Sequence, residues 1–229
     1  MRALIIAIDG PSGAGKGTVS RALAAELHYC HIDSGAMYRA VAWKALADGI
    51  SLDDEPAVTA LAEQARLDIG DGTVRIDGQD VTRAIRTPDI DRAAAAVARL
   101  PRVRAALVDR QRRLGAEGGI VMEGRDIGTV VFPQADVKIY LDASPDERAR
   151  RRAHDPAHAG NGRRAVAEVA TALEARDRID QTRAASPLVA ADDALRVDTT
   201  NMRVDDVVRE VMQVVRKRAG GAMNEDRGT

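Results

Sequence analysis

The sequence predicts an α/β fold in which a parallel central sheet lies between layers of helices. Strand-like apolar runs alternate with helical patterns along most of the 229 residues, and this alternation is typical of parallel sheets. The first run, residues 3–9, leads directly into a glycine-rich loop, which a helical pattern follows at once. A chain of this length suits one compact domain with an inserted subdomain.

The core elements after the glycine-rich loop are predicted from short apolar runs and from helix-start signals. Ser144 and Pro145 indicate a helix start, because serine caps a helix and proline fits its first turn. The predicted elements are a helix at residues 17–28, a strand end at 31–34, a helix at 35–48, strands at 120–123 and 137–142, a strand at 195–198 and a helix at 204–218.

One segment interrupts this alternation. Residues 67–82 contain short β-like pieces separated by Asp71-Gly72 and Asp77-Gly78, which favour tight turns. We therefore expect a small antiparallel meander, with a helix after Pro88, inside an insert at about residues 55–98.

The remaining divisions follow from composition. We expect a core at about residues 1–54, 99–152 and 165–218. The polar segment at about residues 153–164 contains proline and glycine, and it is predicted to be a mobile lid. Residues 219–229 are predicted to be a disordered tail.

Composition argues against several classes of function. A net charge of −1 creates no global field for polyanions, and five aromatic side chains are few for single-stranded nucleic-acid binding. The only cysteine, Cys30, excludes an internal disulfide and fits a reducing compartment. No apolar stretch is long enough to span a membrane. We therefore expect a cytoplasmic monomer with no nucleic-acid or membrane partner.

The glycine-rich loop, GPSGAGK at residues 10–16, satisfies the G-x-x-x-x-G-K pattern of a P-loop. Its glycines let successive N–H groups point at a phosphate chain, and the lysine reaches the terminal oxygens. A glycine follows the lysine, so the hydroxyl of the general motif is displaced by one residue, as is typical of small nucleotide kinases. The predicted triphosphate-binding residues are Gly10, Pro11, Ser12, Gly13, Ala14, Gly15, Lys16, Gly17 and Thr18.

An enzyme that moves a phosphoryl group must hold two anions together, so it needs arginines from several segments. These candidates stand at strand ends or on helix faces. Arg39 lies in the helix predicted at residues 35–48, and Arg125 follows the strand that ends at Glu123 and Gly124. Arg176, Asp180 and Arg183 share one helix face. The alternative for that face is a solvated ion pair. The positive charge of the chain is nearly all arginine, which favours bidentate phosphate contacts but equally fits a GC-rich genome.

Glu123 ends a strand that is predicted to lie beside the P-loop strand, where an acid can organise Mg²⁺ through its waters. A purely structural acid is the alternative. We interpret the histidines as surface or loop residues without metal-ligand spacing, and we expect no protein-held metal. These are His28, His31, His154 and His158.

Four motifs resemble those of the bacterial cytidylate kinase family, and the match extends from residue 5 to residue 217. The resemblance implies a three-layer P-loop kinase fold with a nucleotide-binding insert and a helical lid. It also implies transfer of the γ-phosphoryl group of ATP, with Mg²⁺, to CMP or dCMP. The motifs are GPSGAGKGT at 10–18, DSGAMYR at 33–39, EGRDIGTVVFP at 123–133 and RDRIDQTRAASPL at 176–188.

The resemblance also implies residue roles by motif position. Arg176 and Asp180 would reach the ribose hydroxyls, and Arg104 and Asp126 would read the cytosine edge. The residues implied to hold the acceptor phosphate are Ser34, Tyr38, Arg39, Arg125 and Arg183. The residues implied to be catalytic are Lys16, Arg125, Arg183 and the lid-helix arginines Arg148, Arg151 and Arg152. Arg150 is expected to face solvent.

The chemistry of cytosine fits the implied roles of Arg104 and Asp126 in reading the base. The Asp126 carboxylate can accept from the exocyclic amine, whereas uracil would turn a carbonyl toward it. A serine that family members often use against the base maps to Ala95, so we expect base reading to depend more on Arg104 and Asp126.

Two other functions remain open. One is a P-loop kinase for another acceptor, such as UMP, shikimate or dephospho-coenzyme A, and the GRDIGT motif weighs against it. The other is a nucleotide-sensing regulator, which would not need two opposed phosphate sites.

Overall fold

The computed structural model describes residues 3–70, 72–155 and 165–225, with side chains described as far as residue 219. Its strands are β1 (Ile5–Asp9), β2 (Cys30–Asp33), β3 (Leu67–Gly70), β4 (Thr73–Ile76), β5 (Gln79–Asp80), β6 (Ile120–Gly124), β7 (Val137–Asp142) and β8 (Leu195–Asp198). Its helices are α1 (Lys16–Leu27), α2 (Ser34–Ala47), α3 (Glu55–Gln64), α4 (Pro88–Val97), α5 (Pro101–Leu114), α6 (Pro145–Ala153), α7 (Val166–Thr182) and α8 (Val204–Glu225).

Five strands form a parallel sheet in the order β2-β6-β1-β7-β8, which confirms the predicted fold class. Strand β1 is central, and β6, which carries Glu123, lies beside it, as the sequence predicts. Ile8 is in register with Glu123. Successive side chains of a strand point to opposite faces. Ile6 and Ile8 pack with α1 and α8 on one face, and Ala7 packs on the other face. This alternation creates the three layers.

A second sheet, β3-β4-β5, is antiparallel and confirms the predicted meander. Asp77 and Gly78 both have positive φ, at 51° and 81°, as a two-residue hairpin turn requires. The Asp77 carboxylate accepts a hydrogen bond from the Arg66 N–H at 2.8 Å, which joins this turn to the residue before β3. Helix α4 begins at Pro88, where a helix was predicted.

The structure differs from the sequence prediction at the carboxyl end. Helix α8 continues to Glu225, so a disordered tail from residue 219 is wrong for residues 219–225. Ala219, the first residue of this extension, still packs against the apolar core that α1 and α8 share with the sheet. Residues 226–229 lie outside the described residues, as do residues 156–164 of the predicted lid.

Residues Ile127–Val131 form a π-helical turn directly after the site segment Arg125-Asp126. The N–H groups of Val131 and Phe132 donate to carbonyls five residues earlier, at 3.1 and 2.7 Å. Turns of this kind occur often at functional sites.

In the described part of the chain, no helix is both long and apolar enough to cross a membrane.

Candidate active site

A cavity of about 600 Å³ opens at the carboxyl ends of the central strands. Ligands of parallel α/β sheets bind at this edge. The structure brings most of the predicted site residues together around it. The predicted residues that line the cavity are Ser12, Gly13, Ala14, Gly15, Lys16, Gly17, Thr18, Ser34, Tyr38, Arg39, Arg104, Glu123, Arg125, Asp126, Arg151, Arg152, Arg176, Asp180 and Arg183.

The P-loop connects β1 to α1 and approaches its neighbours too closely for side chains. A Cβ on Gly10, which has φ +145°, would lie 2.0 Å from the Leu141 carbonyl oxygen. A Cβ on Gly13, with φ +82°, would lie 2.8 Å from the Arg148 carbonyl oxygen. Glycine is therefore required at both positions by space as well as by φ.

Lys16 begins α1 and is 6% exposed, with Nζ donating to the Pro11 carbonyl at 2.8 Å. Burial, and next the positive charge of Arg125, lower the pKa of Lys16 to about 7. A phosphate chain in the cavity would reverse this shift, because it would supply the missing negative charge.

Glu123 is held by residues from two elements. His31 Nε2 lies 2.9 Å from Glu123 Oε1, and the Ser34 hydroxyl donates to the Glu123 carbonyl at 2.7 Å. The interpretation of His31 as a surface or loop residue is therefore wrong, because its side chain is only 12% exposed and contacts the acid. The two residues are 92 positions apart, so no local pattern indicates the contact.

Asp180, on α7, lies among three arginines of the predicted site. It accepts a hydrogen bond from Arg125 Nε at 2.9 Å, and Arg183 Nη1 and Arg176 Nε lie 3.5 and 3.8 Å from its oxygens. Arg125 also donates to the Ser12 hydroxyl at 2.8 Å, which joins this cluster to the P-loop. Burial, and next Arg125, lower the pKa of Arg176 to about 10. The Asp180 carboxylate thus interacts with the guanidinium groups of Arg125, Arg176 and Arg183.

Arg104 and Asp126 form a buried ion pair, with Arg104 Nη2 donating to Asp126 Oδ2. Their side chains are only 4% and 8% exposed. The Arg104 guanidinium lies over the Tyr38 ring, with its carbon 5.5 Å from the ring centroid. Burial raises the pKa of Tyr38 to about 12, so its hydroxyl stays neutral.

Several buried donors in the cavity have no hydrogen-bond partner among the described residues. Buried donors without partners are costly, so a ligand rich in acceptor oxygens would satisfy an existing demand. These atoms are Arg39 Nε, Arg104 Nε, Arg176 Nε and Arg183 Nη2.

The arginines of α6 have different surroundings. Arg150 is exposed, as predicted. Arg151 donates to Thr199, and Arg152 donates to Asp91 of α4, which places both guanidinium groups at the cavity. Arg148 is buried against the P-loop, where it donates to the Ser12 carbonyl at 3.1 Å and pairs with Asp177. The catalytic role of Arg148 therefore stays a prediction, and its contacts favour support of the P-loop.

Sequence reasoning did not single out Arg86, which lines the cavity, or Asp9, which anchors a segment beside the cavity. Arg86, which follows the meander, lines the cavity and lies 3.9 Å from Asp33 Oδ2. The same carboxylate oxygen accepts from Arg39 at 2.7 Å. Asp9, at the end of β1, accepts two hydrogen bonds from backbone N–H groups of the π-helical turn. Arg86 belongs to no recognisable motif. In the sequence, Asp9 can be recognised only as the polar residue at the end of a strand.

A P-loop that faces converging arginines at the carboxyl edge of a parallel sheet defines a P-loop kinase of a small anionic acceptor. The comparisons with known proteins agree. The family model for cytidylate kinase matches residues 6–217, and the chain belongs to this family. It is accordingly an ATP-dependent nucleoside monophosphate kinase.

Two curated relatives illustrate the similarity. The cytidylate kinase of Solibacter usitatus is 46% identical over 221 residues, which cover 94% of this chain and 93% of the relative. The cytidylate kinase of Pelotomaculum thermopropionicum is 50% identical over 223 residues, covering 94% of this chain and 96% of the relative. An uncharacterized protein from Eubacterium ventriosum has a solved structure that matches with a TM-score of 0.52 at 13% identity, covering 93% of this chain and 98% of that one, and it supports the fold alone.

Proposed function

We propose that this chain transfers the γ-phosphoryl group of ATP to CMP or dCMP and releases ADP with CDP or dCDP. The observation that carries the proposal is the buried Arg104–Asp126 pair, which lies in the same cavity as the P-loop and the arginines around Asp180. The P-loop accounts for the donor, the arginines account for the acceptor phosphate, and the pair accounts for the base.

The donor phosphates are held by the N–H groups of the P-loop and by Lys16. Mg²⁺ would neutralise phosphate charge when it is bound with ATP. The described residues contain no group of three His, Cys, Asp or Glu side chains that could hold a metal alone. A Mg²⁺ site made jointly by ATP and one carboxylate fits Glu123, whose side chain is 10% exposed at the cavity.

The acceptor phosphate is held by Arg39, Arg125 and Arg183, with Ser34 and Tyr38 beside them. A phosphate monoester already carries negative oxygens at neutral pH, so its attack on the γ-phosphorus needs no general base. The bond between the γ-phosphorus and the β–γ bridging oxygen of ATP breaks as the new oxygen–phosphorus bond forms, and that oxygen leaves with ADP. Catalysis then consists of alignment and of charge neutralisation by arginine and Lys16.

The nucleoside is held farther into the cavity. Arg176 and Asp180 contact the ribose hydroxyls, while Asp126 accepts from the cytosine amine and Arg104 donates to a ring acceptor. Arg104 suits this role because its Nε donor has no hydrogen-bond partner among the described residues. Uracil would place a carbonyl oxygen against the Asp126 carboxylate, so that two acceptors would face each other with no proton between them.

The insert at about residues 55–98 acts, in this proposal, as the nucleotide-binding subdomain. Arg86 of this insert lines the cavity. Helix α4 of the insert contacts α6, where Arg152 donates to Asp91. Arg151 and Arg152 then neutralise charge on the transferring group from the opposite side.

A coupled assay of ADP production tests the proposal. The purified chain is given Mg²⁺, ATP and one acceptor at a time, from CMP, dCMP, UMP, AMP, shikimate and dephospho-coenzyme A. We expect CMP and dCMP to give the highest kcat/KM, and Lys16→Met to remove the activity. Equal rates with all acceptors would contradict the proposal, and turnover without a partner protein would exclude a pure nucleotide sensor.

A further inference from the structure

Asp9 connects the strand that carries the P-loop to the segment that carries Arg125 and Asp126. Its two carboxylate oxygens accept hydrogen bonds from the N–H groups of Ile127 and Gly128, at 2.8 and 2.7 Å. Asp9 is 5% exposed and lies 118 and 119 positions before these partners. The next residue after Asp9 is Gly10, the first residue of the P-loop.

The two bonds fix the backbone immediately after Asp126. Ile127 N belongs to the peptide group that follows Asp126, so anchoring it restrains the ψ angle of Asp126. The carbonyl of the same peptide group accepts from Val130 and Val131 at 2.9 and 3.1 Å. The peptide after Asp126 is therefore held through both its N–H and its C=O, which restrains the backbone that carries the Asp126 side chain.

A carboxylate is the side chain that suits this position. Only a carboxylate offers two equivalent acceptors to two neighbouring N–H donors. Burial raises the pKa of Asp9 to about 6, while the bonds from Gly128 and Ile127 oppose that rise. The fold thus tolerates a costly buried acid at the base of the P-loop.

The partner segment is also shaped to receive this carboxylate. A Cβ on Gly128 would lie 3.4 Å from Asp9 Oδ2 and 3.2 Å from Lys138 Cδ. A side chain at residue 128 would therefore crowd Lys138 and lie in contact with the Asp9 carboxylate.

We propose that Asp9 is a positioning residue for the acceptor base, which acts by orienting Asp126 through the N–H groups of Ile127 and Gly128. The inference rests on the proposed function of Asp126 in reading cytosine. Asp9 itself contacts neither substrate. It links the two substrate sites, since the same residue ends the P-loop strand and anchors the base-reading segment.

Asp9→Asn is the direct test, because the amide keeps the shape but offers one acceptor and turns an N–H₂ group toward the other donor. We expect the KM for CMP to rise about tenfold, as for a small misplacement of a binding group, while the KM for ATP changes little. The preference for CMP over UMP should fall in parallel.

A matched control is Asp136→Asn. Asp136 also accepts a backbone N–H with its carboxylate, from Ile5 at 2.8 Å, but at the opposite end of β1. We expect this variant to keep the CMP preference of the wild type, whatever its melting temperature. A loss of preference in both variants would indicate general destabilisation and would overturn the inference.

A double-mutant cycle separates positioning from a merely structural role. If Asp9 acts through Asp126, Asp9→Asn should reduce CMP/UMP selectivity much less in an Asp126→Ala background than in the wild type. Additive losses of selectivity would overturn the inference. If the wild type itself shows no CMP preference, the proposed function and the inference both fail.

Gly128→Ala provides a second variant if Asp9→Asn does not fold. It perturbs the same contact from the other segment, and Lys138 can move its flexible end to make room. We expect a smaller change in the same direction, with a higher KM for CMP and an unchanged KM for ATP. Unaltered kinetics with both substrates would count against the positioning role.

Discussion

A Cβ placed on Gly17 would lie 3.0 Å from Oε1 of Glu123 and 3.5 Å from its Oε2. The glycine after the P-loop lysine is therefore the residue that leaves room for this acid. In the general motif a hydroxyl at this position binds Mg²⁺. Here the carboxylate of Glu123, held by His31, occupies the space beside the backbone.

The first prediction concerns this space. Gly17→Ala should displace the Glu123 carboxylate and reduce kcat by about tenfold or more, since groups that position charge act over short distances. The dependence of the rate on Mg²⁺ concentration should also shift to higher concentrations. Steady-state kinetics over a Mg²⁺ titration measures both quantities. Gly70→Ala is the control, because a Cβ there meets no atom within 4 Å, and an equal loss in that variant would contradict the argument.

The second prediction concerns the choice of base. Asp126→Ala should lower the ratio of kcat/KM for CMP to that for UMP by about tenfold or more, because it removes the acceptor for the cytosine amine. Asp126→Asn should favour UMP further, since an amide can donate to the uracil carbonyl. Coupled assays with each nucleotide give the ratio. Asp89→Ala, at an exposed α4 position paired with Arg92, is the control, and an unchanged ratio in both Asp126 variants would refute the assignment.

Much of the fold could be predicted because the central strands are short apolar runs with clear boundaries. Residues 137–142 and 195–198 were predicted with the bounds that β7 and β8 have. The apolar pattern does not predict helix α5, because the charged Arg104 is buried on the same face as its apolar side chains. Helix α3 lies where only an insert was predicted.

Part of the site could likewise be predicted from the sequence, and part could not. The P-loop and the arginine motifs can be recognised from the sequence because each is a short local pattern. An enzyme that moves a phosphoryl group must hold two anions together, and for this reason the sequence also predicts that these motifs form one site. The contacts of His31 with Glu123 and of Asp9 with the π-helical turn join residues 92 to 119 positions apart. Such contacts depend on strand order, β2 beside β6 beside β1, which periodicity does not specify.

The third prediction concerns the support of the P-loop. Arg148 and Asp177 form a buried pair, with side chains 9% and 10% exposed. Asp177→Ala would leave a buried guanidinium without its carboxylate, and it should lower the free energy of unfolding by about 3–5 kcal/mol. Urea denaturation followed by circular dichroism measures this loss.

The control for the third prediction is an exposed pair on α5. Arg113 and Asp109 lie 2.6 Å apart, with side chains 67% and 62% exposed. Asp109→Ala should change the free energy of unfolding by less than about 1 kcal/mol, because water screens such pairs. A loss of less than about 1 kcal/mol in Asp177→Ala as well would show that the buried pair does not stabilise the P-loop side of the fold.

The fourth prediction concerns protons and ATP. Burial and Arg125 lower the pKa of Lys16 to about 7, so the free enzyme at pH 8 holds Lys16 largely neutral. A bound triphosphate favours the charged form and raises this pKa, so ATP binding at pH 8 should take up a proton. At pH 6 Lys16 is already charged, so its contribution to proton uptake should vanish.

Isothermal titration calorimetry measures this uptake, since the apparent binding enthalpy depends on the ionisation enthalpy of the buffer when protons are exchanged. At pH 8 the wild type should take up about one proton more than Lys16→Met, which retains no titrating group at that position. The difference between the two proteins removes the protons that ATP itself exchanges. If the difference is zero at pH 8, Lys16 is charged in the free enzyme and the buried lysine does not gain its proton from the binding of ATP. A difference that is larger at pH 6 than at pH 8 would contradict a pKa near 7 for Lys16 in the free enzyme.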